Sequence, residues 1–120
     1  MTLEDELFDV EQGFWLSGEK HFREHLDQEC LLAFPQMGEM HGVFPRERVA
    51  ATATSANRWR DLRLSDRHLL RPHEDVAIIS YRADVTREDG QPYSALVSSA
   101  YVRRHEGWKL AFHQHSQLQA

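Results

Sequence analysis

The stretch "DGQPYSALVSSAYVRRHEGWKLAFHQHS", residues 89–116, decides the fold. It opens on Asp89-Gly90, a dipeptide suited to the positive-φ positions of a tight hairpin. A strand over 92–104 follows, and "HEG" (105–107) turns it into another over 107–117. The small residues of "YSALVSSAY" (93–101) let such a sheet curl. Upstream, "VAIISYRADV" (76–85) is rich in β-branched residues, which predicts a strand over 75–87. Leu62 and Leu64 alternate with charged neighbours in a further strand over 59–71. The second half thus reads as a four-stranded antiparallel meander.

The first half reads differently. Leu3, Leu7, Val10 and Phe14 recur at helical spacing, acids crowd the first turn, and Gly18 offers a stop. A shorter helix over Glu19–Asp27 places Phe22 and Leu26 on its apolar side. "CLLAFP" (30–35) is a short buried strand ended by Pro35. "QMGEMHGVF" (36–44) is loop-like, and Pro45 can open a third helix continued by "RERVAATATSA". Helices before a run of strands predict α+β, with helices packed on one face of a curved antiparallel sheet.

Bulk properties narrow the function. A chain of 120 residues suits one domain over 1–120, and 41% hydrophobic with 28% charged residues marks a folding globule. A net charge of -5 argues against nucleic acid as a partner. Cys30 is the one cysteine, so no disulfide framework forms within the chain. No apolar run reaches the ~20 residues that span a bilayer, and the acidic N-terminus is unlike a secretory signal. The expected location is cytoplasmic.

The C-terminal motifs resemble the SnoaL-like group of NTF2-like proteins called DUF4440. They are the Asp89-Gly90 turn, Tyr101-Val102-Arg103-Arg104, the Gly107-Trp108 turn and His113 in a final strand. The two helices, the "LLAFPQMGEMHG" strand and loop, and the helix at "PRERV" are similar too. The resemblance implies a cone-shaped α+β barrel, commonly a homodimer contacting through its sheet. It implies no single activity, since the superfamily holds isomerases, dehydratases, polyketide cyclases and transport factors.

Several residues could carry chemistry. "HFREH" (21–25) is His-x-x-Glu-His, a zinc-peptidase pattern. Phe22 and Leu26 claim the core side of that helix and no third ligand is evident, so no metal is expected. His113 and His115 share a strand face, opposite Trp108, Leu110 and Phe112, and His113 is a pocket acid or base or part of a polar contact face. Tyr81 and Tyr101 are either core or hydroxyls that polarise a substrate carbonyl. That chemistry also needs a carboxylate, and Asp84, Asp61 and Asp9 are the candidates. Trp15, Phe34, Met40 and Trp59 are the expected walls of an apolar ligand pocket, with Met37 and Met40 in a loop that could cover it. Ser98 and Ser99 lack a nucleophile turn, and there is no phosphate loop. Two functions stand: an apolar small-molecule binder, with cofactor-free isomerase, dehydratase or cyclase chemistry at Tyr81, Tyr101 and His113, or a non-catalytic dimerisation or protein-binding module.

Overall fold

The structure, a computed structural model, describes residues 1–35, 40–53 and 59–118. Helix α1 (Leu3–Leu16) is fixed at its start by a capping box. Asp5 N–H donates to Thr2 Oγ1 at 3.1 Å, and Thr2 N–H donates to the Asp5 carboxylate at 3.3 Å. Helix α2 (Glu19–His25) is held to α1 by the ring of His21, whose Nε2–H donates to the Val10 carbonyl at 2.9 Å. That ring fills the space a side chain at Gly13 would need, since a Cβ there would lie 2.1 Å from His21 Cε1.

The strands are β1 (Leu26–Ala33), β2 (His41–Pro45), β3 (Trp59–His73), β4 (Val76–Arg87), β5 (Pro92–Arg104) and β6 (Gly107–Gln117), with α3 (Arg46–Ala50) between β2 and β3. They form one sheet in the order β2-β1-β6-β5-β4-β3. The expected meander is present over β3 to β6, antiparallel throughout. The sheet as a whole is mixed, because β1 pairs β6 in parallel. It is curved and open, not closed into the barrel that the resemblance implied.

Three further expectations change. Helix α2 stops at His25, and Leu26 is already extended, because Leu26 is buried and pairs with Leu110. The segment 36–44 holds part of β2, an edge strand disguised by its glycines, and Gly42 sits at φ +136°, a conformation that favours glycine. Helix α3 is five residues long, and 54–56 of the longer helix expected there lie outside the described residues.

Three register shifts against β4 shape β3, two of them at aspartates. Asp61 and Asp66 adopt φ 56° and 51° at the first two, and the third falls between Leu70 and His73. Aspartate tolerates this left-handed conformation better than most residues. The inner sheet face carries Ala77, Ala83 and Ala95, all fully buried, and the α1 backbone approaches the sheet over β3. Leu7, Phe8 and Trp15 join Ile79, Tyr81, Val97 and Tyr101 in one core cluster, and the Phe8 ring meets the Tyr81 ring edge-on at 5.5 Å.

Candidate functional site

The buried face of α1 is Leu7, Phe8, Glu11, Phe14 and Trp15. Glu11 has no solvent exposure. Such a charge persists only if its oxygens are taken by donors, and here they are. Tyr81 O–H donates to Oε2 at 2.6 Å, Ser99 O–H to Oε2 at 2.7 Å and Tyr101 O–H to Oε1 at 2.5 Å. His113 Nδ1 lies 3.4 Å from Oε2. Burial pushes the Glu11 carboxyl up, but the His113 hydrogen bond and charge, with the tyrosine hydroxyls, outweigh it and leave the group lowered. The same burial and the Glu11 charge hold Tyr81 and Tyr101 well above the usual phenol range.

The donors define a direction. Ser99 spends its one hydrogen on Glu11, so it accepts from His113 Nδ1–H, 2.7 Å away. Neutral His113 then accepts at Nε2 from His115 Nε2–H, 2.8 Å away. His115 Nδ1 in turn accepts from Tyr93 O–H at 3.1 Å. The chain Tyr93–His115–His113–Ser99–Glu11 is one continuous hydrogen-bonded relay. Burial, the His113 charge and Arg87 push the His115 imidazole down to about 2.

The outer end of this relay opens on a cavity of about 370 Å³. Trp15, Phe34, Met40 and Trp59 all stand in its wall, with Thr52, Arg87, Tyr93, His113 and His115 among its polar members. Trp15 stacks on His115 with ring centres 5.0 Å apart and planes 14° apart, and Phe34 meets the same imidazole edge-on at 4.9 Å. Tyr81 and Tyr101 are not in the wall. They stand behind it, and Tyr81 also accepts from Trp15 Nε1–H at 3.0 Å. Met37 lies outside the described residues.

A bulge brings His113 into place. Tyr101 pairs with Leu110 and Ala100 with Phe112, so Ala111 is an extra residue in β6. Strict alternation puts Leu110 and His113 on opposite faces, yet both line the cavity. The expected carboxylates are elsewhere. Asp84 faces outward with Arg82 and Ser94, and Asp9 and Asp61 are exposed. Ser99 is a link in the relay rather than mere small packing. Glu11 escaped the sequence reading, although its place four residues after Leu7 and four before Trp15 put it inside the apolar stripe.

The "HFREH" pair has a packing role on one side. His21 is spent on Val10, and the His25 ring lies beside it, tilted by 44° with ring centres 4.3 Å apart. Among the described residues, no group of three or more His, Cys, Asp or Glu is arranged to hold a metal ion.

No protein-family model and no curated protein matches the chain. Solved structures do. An NTF2-like protein from Cytophaga hutchinsonii superposes with TM-score 0.76 at 16% identity, over 98% of this chain and 100% of that one. A protein described as a candidate ketosteroid isomerase, from Parabacteroides distasonis, gives 0.76 at 12%, over 98% and 89%. The CaMKII hub of S. rosetta gives 0.71 at 14%, over 98% and 98%. The chain therefore has the NTF2-like fold, a scaffold shared here by a protein described as a candidate isomerase and by a CaMKII hub.

Proposed function

We propose that this protein binds an apolar small molecule in the cavity between the helices and the sheet, and that His113 moves a proton on it. The observation that carries this is the convergence of an aromatic-walled cavity with a buried relay ending on Glu11. Apolar packing alone has no use for two buried imidazoles wired to a carboxylate. Glu11, through Ser99, fixes the His113 tautomer and stabilises the imidazolium that forms when His113 takes a proton. The chemistry this supports is cofactor-free acid–base work such as isomerisation, dehydration or cyclisation. Tyr81 and Tyr101 serve it as positioning residues for Glu11. Trp15 and Trp59 give the test, because they flank the cavity. Titrating naphthalene-sized compounds should quench tryptophan fluorescence saturably, and Phe34→Trp, which fills the cavity, should abolish the effect. Unsaturable quenching, unchanged in that variant, would sink the reading.

A second reading concerns the outer sheet face, where one lateral row crosses all six strands. Paired residue to residue, it runs Val43, Leu31, Phe112, Ala100, Ile78, Leu70. Val43 and Leu70 are 61% and 62% exposed, and every member is apolar. We propose that this row is the contact between two copies of the chain, since an apolar band this long is poorly suited to water. Assembly of hub proteins on the same fold supports it. Sedimentation equilibrium tests it, and a monomer at high micromolar concentration would refute it. The C-terminal motifs support placement in the SnoaL-like DUF4440 group. A cytoplasmic location is consistent with Cys30, a lone buried thiol pushed by burial up to about 12.

A further inference from the structure

Among the described residues, every buried side-chain nitrogen and oxygen already has a hydrogen-bond partner. A polar group on a ligand in the cavity must therefore enter an existing bond and leave both of its ends satisfied. Several bonds at the wall have one end out of reach. Trp15 Nε1–H donates to Tyr81, which stands behind the wall. Thr52 Oγ1–H donates to the Val49 carbonyl within its own turn at 2.7 Å, and His113 Nδ1–H donates to the buried Ser99. The His113–His115 bond differs, because both of its ends stand in the wall. So do those of the His115–Tyr93 bond, but Tyr93 is the more covered, 4% exposed against 8% and 9% for the two imidazoles.

We infer that the ligand is a neutral alcohol, its hydroxyl inserted between His113 Nε2 and His115 Nε2 and its hydrocarbon against Trp15 and Phe34. This rests on reading the cavity as a ligand site. The two nitrogens share one hydrogen across 2.8 Å, so one donates and the other accepts. A hydroxyl matches both at once: its oxygen accepts the N–H, and its hydrogen goes to the facing lone pair. One bond is broken and two are made, whichever imidazole carries the hydrogen. Other groups of the same shape leave one end unmet. An ether accepts and cannot donate, a carboxylate sets a charge against a nitrogen lone pair, and an ammonium has no acceptor for the N–H. A buried end left unmet loses more than one ordinary hydrogen bond returns. Each ring is anchored on its far side, His113 Nδ1 on Ser99 and His115 Nδ1 on Tyr93. The rings can thus part at Nε2 and keep those outer bonds. Entry also sets the ligand's O–H on His113 Nε2, the atom through which the proposed function moves a proton.

The test uses three probes of one shape, 2-naphthylmethanol, 2-(methoxymethyl)naphthalene and 2-naphthylmethylamine. They are titrated into the full chain by calorimetry at about pH 8, above the ordinary imidazole range. The alcohol should bind about fivefold or more tighter than the ether or the amine. In His115→Phe, which keeps a ring and loses the nitrogens, the preference for alcohol over ether should vanish. Nitrogen NMR supplies a second readout. The scalar coupling between the two Nε2 atoms across their shared hydrogen should be present in the protein alone, persist with the ether and disappear as the alcohol saturates. Equal or reversed ranking of alcohol and ether overturns the hydroxyl inference and leaves the cavity reading standing. A coupling that survives saturation with the alcohol does the same. Failure of all three probes to bind overturns the cavity reading itself. The ranking and the coupling stand without the variant, should His115→Phe fail to fold.

Discussion

Glu11 takes three hydroxyl donors in a site with no water contact, so its partners and its charge depend on one another. Tyr101→Phe removes the donor to Oε1 and should cost about 1–3 kcal/mol, read as a fall in urea midpoint at unchanged m-value. Glu11→Gln should cost more, about 3–5 kcal/mol, because an amide NH2 then meets hydroxyls oriented to donate. Acid sensitivity follows from His115. Its folded value, about 2, lies below its ordinary 6.5, so keeping it neutral stabilises fully above pH 6.5 and is lost as pH falls from there toward 2. Between pH 6.5 and 5 that amounts to about 2 kcal/mol, and His115→Gln should flatten the slope of stability against pH there. His25, also lowered by burial, adds a smaller slope of the same sign. Glu11 acts in another window, its contribution disappearing only as pH falls below its ordinary 4.5. Much of this site was readable residue by residue: His113 and the four apolar wall residues stand at the cavity. Glu11 was not read, because pattern reasoning assigns a glutamate in an amphipathic helix to solvent. Only its spacing from Leu7 and Trp15 spoke against that.

Elements dock here through small notches and single extra residues, which composition hides. Gly13 and His21 are the clearest case. Alanine is the better helix former by about 1 kcal/mol, yet a Cβ at Gly13 would strike the His21 ring. Gly13→Ala should therefore destabilise the protein by about 1–3 kcal/mol in thermal or urea melts. In a His21→Ala background the same change should be neutral or favourable, a non-additivity that places the two groups in one contact. The strand lengths of the meander and the Asp89-Gly90 turn were legible because alternation and turn chemistry are local. Strand β2 and the Ala111 bulge were not. A glycine-bearing edge strand carries little pattern of its own, and a bulge shows only against its partner. That one bulge reversed the expected face of Leu110 relative to His113.

At the scale of the molecule, the helices-then-meander order announced α+β, but pairing between distant segments left no trace in either one. The outer row from Val43 to Leu70 likewise emerges only when the registers of all five strand pairs are joined. Leu70→Lys should weaken self-association about tenfold or more, measured by sedimentation, and leave the stability of the isolated chain, measured by urea melts, within about 0.5 kcal/mol of its starting value. The parallel pairing of β1 with β6 carries its own consequence for synthesis. Residues 26–33 find part of their sheet only in residues 110–114, and Glu11 finds its donors only in residues 81–113. The first quarter of the chain thus leaves the ribosome long before anything can cover it. A nascent chain halted ahead of β6 would leave β1 without its parallel partner and Glu11 without His113, with apolar surface of the kind that chaperones recognise still uncovered. Folding on the ribosome should then appear as one late event, and arrest-peptide force profiles should stay flat until β6 has cleared the exit tunnel.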